Sequence, residues 1–176
     1  RKNTEENKRR VQLLQYLGKY FKFYQLETIY IINGKVMKSE TDVVKVLKDD
    51  GLKQISWEQL EKYQNATTTN LDDLRDEFGW HDSWAVRIAY NDTFGGVIIN
   101  QQSGEGNRKH FHPDADENWV ILDGEWEWWI EGQGTKKVWK NDIIVVPKGT
   151  PHLITCVKGP GARYAITKPD VNHVYV

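Results

Sequence analysis

Between Gly104 and Gly124 the chain reads GEGNRKHFHPDADENWVILDG. His110 and His112 are one residue apart, Glu117 follows five positions after His112, and Gly124 closes the run. A third histidine, His152, ends the segment NDIIVVPKGTPH. Three imidazoles and one carboxylate are a sufficient donor set for a borderline divalent metal ion. Alternate side chains of a strand share a face, so His110 and His112 point the same way if the segment is extended. By the same parity Arg108 joins them, provided the strand begins early enough. Pro113 stops that strand, and the polar residues 113–116 reverse the chain. Glu117 then opens a second apolar strand, NWVILD, with Trp119 and Ile121 on its own face. A hairpin would bring the carboxylate back opposite the imidazoles. His152 lies just past the turn Pro147–Pro151, which ends the apolar run Ile143–Val146. If that strand lies beside the first two, all four groups converge on strands and turns alone. A lone H-x-H pair is common and carries little. The pair together with the glutamate, the closing glycine and P-x-G-x-x-H is far more specific.

These residues resemble the cupin superfamily. Gly104, His110, His112, Glu117 and Gly124 match its first motif, G-x5-H-x-H-x4-E-x6-G, at every spacing. Pro147, Gly149 and His152 match its second, G-x5-P-x-G-x2-H-x3-N, where Asn141 replaces the opening glycine and Cys156 the closing asparagine. Asn141 is a mild change, because asparagine tolerates the left-handed geometry that glycine supplies. Cys156 shares strand parity with His152 and Ile154, which turns it toward the interior. The resemblance spans residues 84–170. It implies a mainly β protein: a single antiparallel, jelly-roll-like cupin barrel with a metal at one end. It does not imply a reaction, because one fold hosts many chemistries. The segment ENWVILDG also resembles the first motif of cupin sugar-phosphate isomerases.

A chain of 176 residues fits one such barrel plus a smaller appendage. The expected division is a helical and hairpin extension over 1–80, packed on the barrel or on a partner subunit, and the barrel over 81–176. In the extension, Leu13, Leu14, Leu17, Tyr20, Phe21 and Tyr24 recur at helical spacing. Asn33-Gly34 between two apolar segments predicts a hairpin. Short helices are expected over 40–50, stopped by Gly51, over the segment SWEQLEKYQ opened by a Ser56–Gln59 capping box, and over LDDLRDEF, ended by Gly79. Helix, hairpin, helix is also the layout of a winged-helix DNA reader, but the segment has no concentrated basic face.

The formal net charge of −1 gives no electrostatic reason to expect a nucleic-acid partner. No apolar run approaches a membrane span, and the basic N-terminus lacks the apolar stretch of a signal peptide. One cysteine excludes an intrachain disulfide and fits a reducing, cytoplasmic compartment. Exposed sheet edges on a small barrel, with the aromatic N-terminal helix as a second contact, lead us to expect a homodimer.

Trp126, Trp128 and Ile130 would share one face of EWEWWIE, with Trp129 on the other. Ordinary core filling accounts for such tryptophans; Trp119, on the parity of Glu117, is also placed to wall the metal pocket. Exposure of Trp129 or Trp139 would mark a subunit contact. Arg108 and Arg87 are either solvated surface groups or guanidinium clamps for an anionic substrate. Asn100 and Gln101 offer one inward amide between them. His81 and His173, outside the motifs, read as structural or exposed.

Three function classes follow. The first is a mononuclear non-haem iron(II) dioxygenase held by His110, His112, Glu117 and His152. The second is a metal-assisted isomerase, epimerase or lyase on a sugar or small acid, which needs a general base. Glu117, Cys156 and Lys168 are the candidates for that base, and none is convincing, so oxygen chemistry is preferred. The third is a module that binds a small ligand without turnover. The donor set accepts Fe, Mn, Co, Ni or Zn, with Fe(II) favoured, and the expected substrate is a small anionic or aromatic metabolite.

Overall fold

The computed structural model describes residues 30–32, 35–37, 39–40, 43–53, 55 and 57–176. The expected aromatic helix of residues 4–24 and the Ser56 cap lie outside the described residues. Among the described residues no helix is long and apolar enough to cross a membrane.

The first described elements are β1 (Tyr30–Ile32) and β2 (Lys35–Met37), paired antiparallel with Ile31 opposite Val36. The pairing agrees with the expected hairpin, whose Asn33-Gly34 lies outside the described residues. β3 (Ser39–Glu40) and three short helices follow: α1 (Val43–Asp49), α2 (Trp57–Tyr63) and α3 (Leu71–Phe78). Helix α1 ends where expected: Gly51 has φ +85° and donates its N–H to Lys48 O at 3.0 Å. The Asn70 side chain caps α3 by accepting from Asp72 N–H at 2.7 Å, and Gly79 terminates it at φ 108°.

Eight strands then build the body: β4 (Trp84–Tyr90), β5 (Gly95–Gln101), β6 (Gly106–Phe111), β7 (Glu117–Ile130), β8 (Gly134–Trp139), β9 (Ile143–Val146), β10 (His152–Thr167) and β11 (His173–Tyr175). With β3 they form one antiparallel sheet ordered β3-β11-β6-β10-β5-β4, with β7 on β10 and both β8 and β9 on β7. The expected β6–β7 hairpin does not form; β10 lies between the two strands and pairs with both.

The sheet is strongly curled. His152 opposes Ile130, at the far end of the 14-residue strand β7 from Glu117. Laid flat, that strand would separate Glu117 from the His152 end of the ladder by about 43 Å. The Glu117 and His152 side chains are in fact 3.1 Å apart. Both long strands bend near their middles. Gly124 has φ +81°, and a Cβ there would meet Gly161 Cα at 2.6 Å. The inward face switches at these bends: Glu117, Trp119 and Ile121 are buried before Gly124, and Trp126, Trp128 and Ile130 after it.

Two apolar cores result. The interior holds Trp119, Trp126, Trp128, Ile130, Val146 and Ile154. A second lies on the opposite face of β4 and β5, where Trp84, Val86 and Ile98 meet Tyr63 of α2 and Leu74 and Phe78 of α3. Trp139, Ile143 and Val145, on β8 and β9, stay exposed.

Candidate metal centre

His110, His112, Glu117 and His152 converge at one end of the interior, with one donor atom from each within 4.8 Å of the others. All four are buried, the most open being Glu117 at 4% exposure. β6 carries His110 and hands the chain to His112 just past its end; β7 begins at Glu117 and β10 at His152.

Each imidazole is fixed by a backbone carbonyl. His110 Nδ1 lies 2.6 Å from Arg108 O, His112 Nδ1 2.9 Å from Asn172 O, and His152 Nδ1 3.0 Å from Thr150 O. A carbonyl only accepts, so each Nδ1 carries the proton, which leaves Nε2 with its lone pair as a metal ligand requires. Glu117 Oε2 is 3.3 Å from His112 Nε2 and 3.1 Å from His152 Nε2. Close as they are, none of the three Nε2 atoms, nor Glu117 Oε2, has a partner in hydrogen-bond geometry. Four buried polar atoms left unpaired and aimed at one point are costly in an apo fold, and one divalent cation would satisfy them all. The donor set therefore fits a metal ion.

The electrostatics agree. Burial and the neighbouring imidazoles hold His110 well below the ordinary imidazole range. For Glu117 burial acts upward, but His112 and His152 prevail and hold it well below the usual carboxylate range. Burial lowers His112 as well, and the Glu117 charge more than reverses this.

The other sequence candidates separate. Trp119 is buried two residues beyond Glu117 on the same face and meets Trp128 edge-on at 5.4 Å. It lines a cavity of about 60 Å³ with Glu117, Asn107, Ile99, His173 and Arg87. Arg87 lies on the inward parity of β4 with Ala85, and its guanidinium sits 4.3 Å from the Tyr90 ring. Lys168 lines the cavity too but is paired with Asp114.

Arg108 is not at the group. It points outward, donating from Nε to Asp50 Oδ1 at 2.6 Å and from a terminal nitrogen to Tyr175 Oη at 2.9 Å. The cause is a β-bulge. His152 opposes His110 but Ile154 opposes Asn107, so two steps along β10 answer three along β6. The extra residue reverses parity, turns Asn107 inward and expels Arg108, which ties β6 to the end of α1 instead.

Cys156 is fully buried in the interior core, its thiol pushed up by burial and 3.7 Å from Gln101 O. It does not line the cavity. Of the two amides, Gln101 meets Arg163 inside while Asn100 meets Arg75 of α3. His81 is exposed.

The sequence did not single out two interior residues: His173, which reads there as structural or exposed, and Arg163. His173, on β11, is 7% exposed; its ring stacks on His110 at 5.1 Å and meets His112 edge-on at 4.5 Å. Its Nδ1 donates to Val171 O at 3.1 Å, and burial with the nearby His112 lowers it to about 4. No motif announces it, because a three-residue strand sixty-one positions after His112 brings it in. Arg163 is fully buried, and only the switch of inward face along β10 turns its odd-numbered position inward.

Residues 97–164 match the model of the cupin domain, which begins on β5 and ends within β10. The chain carries a cupin domain. The motif residues His110, His112, Glu117 and His152 all fall inside that match. No curated protein matches the chain. Among solved structures, KdgF from a Halomonas species is 20% identical over 53% of this chain and 90% of its own, with a TM-score of 0.48. A cupin-2 domain protein from Shewanella frigidimarina is 22% identical over 58% of this chain and 94% of its own, at 0.47. A conserved Klebsiella pneumoniae protein with a double-stranded β-helix domain is 15% identical over 70% of this chain and 97% of its own, at 0.48.

Proposed function

We propose that this cupin is a metal-dependent enzyme acting on a small metabolite, with His110, His112, Glu117 and His152 as the ligands of one divalent ion. The observation that carries the reading is the convergence of three Nε2 atoms and one carboxylate oxygen, all buried and none hydrogen-bonded. A divalent ion there would supply Lewis acidity and, as iron(II), the means to engage oxygen and substrate together. Iron(II) dioxygenation is the preferred reaction type. The chain's own part is to hold the donors rigid: the carbonyls of Arg108, Thr150 and Asn172 orient the imidazoles, and Trp119 and Ile99 wall the adjacent cavity.

One observation favours a second reading, metal-assisted isomerisation or elimination. That chemistry needs a proton acceptor, and His173 lines the cavity with its Nδ1 proton committed to Val171 O. Its Nε2 is thereby left as the accepting atom.

The deciding experiment is elemental analysis of anaerobically purified, chelator-free protein, followed by oxygen uptake with added Fe(II) and a panel of small acids. Iron at near one per chain with substrate-dependent uptake supports the dioxygenase. Zinc or manganese with no oxygen consumption moves the reading to proton transfer through His173. No bound metal and no uptake of added ions sinks both.

A further inference from the structure

The cavity beside Glu117 has a pronounced chemical bias. Arg163 is fully buried behind it, with Nη1 donating to Gln101 Oε1 at 2.6 Å and Nη2 to Asn107 Oδ1 at 2.5 Å. Both acceptors are neutral amides. The guanidinium lies 5.0 Å from the Trp119 ring and 4.4 Å from that of Trp126. Among the described residues no ion pair includes Arg163, and its Nε has no hydrogen-bond partner. Burial lowers it only to about 9, so it stays a cation at neutral pH.

Arg87 is the second cation. It lines the cavity, and among the described residues its guanidinium forms no ion pair and lies over the Tyr90 ring. The acidic group nearest in role, Asp170, is already engaged, accepting from Tyr90 Oη at 2.8 Å. The wall adds a third sign of the same kind. Trp119 lines the cavity, and its buried Nε1–H has no acceptor. Away from the metal group this wall thus offers two donors, the Arg87 guanidinium and Trp119 Nε1–H, against one imidazole acceptor, His173 Nε2. Its charged groups are Arg87, Lys168, which is paired with Asp114, and the carboxylates of Asp170 and Glu117, the latter of which a divalent ion would more than neutralise. A guanidinium without an ion-pair partner among the described residues and an indole N–H without an acceptor, on one wall, favour a ligand group that accepts and carries negative charge.

The register gives the ligand a direction. Arg87 opposes Val97, Val97 opposes Ala165, and Ala165 opposes Trp119. Arg87 and Trp119 thus end a row of four strands, about 14 Å apart along the sheet, and Glu117 shares the inward face of Trp119. Val97 and Ala165 between them are small and apolar.

We infer that the ligand of this cavity is a small organic anion whose carboxylate is held by the Arg87 guanidinium, while its other end lies against the Glu117–histidine group. This rests on the metal-centre reading. The aliphatic floor fits a short carbon chain better than a broad polar ring.

The test uses the full chain loaded with cobalt(II), whose visible spectrum reports both metal uptake and ligand approach. Linear dicarboxylates from oxalate to adipate and the matching neutral diamides are titrated in. At least one dicarboxylate should bind and perturb the spectrum, and the diamides should not. Arg87→Gln should raise the dicarboxylate Kd at least about tenfold, with partial recovery in Arg87→Lys and full cobalt uptake in both variants. A Kd unchanged in Arg87→Gln overturns the inference, as does a panel in which diamides bind as well as diacids or no dicarboxylate binds at all. Failure of wild-type protein to take up cobalt sinks the metal reading itself. That result is distinct from normal uptake with anion binding indifferent to Arg87.

Discussion

Two buried arginines in this protein sit in opposite chemical situations. Arg75, at the junction of helix α3 with the barrel, is 2% exposed and engaged on all sides. Its Nε donates to Asn100 Oδ1 at 3.1 Å, Nη1 to Asp123 Oδ2 at 2.7 Å and Nη2 to Pro160 O at 3.4 Å. Arg163, in the interior, has two neutral amides, two indole faces and no carboxylate among the described residues. The first is a structural pin. Its charge is answered inside the chain, and it fastens a helix to three strands. The second has no ion-pair partner among the described residues, only the longer-range pull of the Glu117 and Asp50 charges, and it sits behind a cavity next to four donor atoms that have no hydrogen-bond partner. Buried polarity that the fold satisfies stabilises the fold, and buried polarity left open points to something bound.

That contrast can be broken by substitution. The largest effect is expected from Glu117→Ala or His110→Ala, which should cut metal affinity more than about 100-fold, since even outer hydrogen-bond partners of ligands cost 10–100-fold. Elemental analysis after dialysis checks it, and chemical denaturation of metal-free protein should show little loss of stability. Retention of stoichiometric metal by either variant would end the four-ligand assignment. Next is Arg75→Ala, which strands Asn100 and partly exposed Asp123 and should cost about 2 kcal/mol in urea unfolding, with metal content unchanged. Arg163→Met should cost less, about 1 kcal/mol, because removing an unpaired buried cation offsets the loss of its two amide bonds. A cost above that of Arg75→Ala would reverse the assignment of the two arginines. The smallest effect is expected at Cys156. Its thiol is raised above its ordinary value by burial and so stays protonated at pH 8. Thiol reagents should label it only after denaturant is added, and Cys156→Ala should leave metal content untouched.

The metal group was legible in the sequence because its information is local. Two histidines one residue apart, a glutamate after a proline-led turn and a histidine after P-x-G need only extended strands to converge. Asn141 was also readable: it stands where glycine is expected and adopts φ 79°. Arg108 was misread because strand parity assumes an unbroken ladder, and a single inserted residue in β6 reverses it. The β6–β7 hairpin was misread for a related reason. A turn sequence shows that the chain reverses, not which strand it meets on its return, and here β10 intervenes. Arg163, and the approach of His173 to the other histidines, could not be read locally because each reaches the interior by a long-range event. One depends on the bend of β10, the other on the pairing of β11 with β6 at Val174–Phe111 and Tyr175–His110.

That last pairing bears on when the site can exist at all. The carbonyl that orients His112 belongs to Asn172, sixty residues further along the chain. A polypeptide emerging from the ribosome presents His110, His112 and Glu117 well before the segment that holds His112 in place. The complete donor geometry is thus available only once residue 172 has been made and has folded back beside His112. The choice among competing ions falls to the folded segment and to whatever metals surround it then, rather than to the shorter nascent stretch that carries only His110, His112 and Glu117.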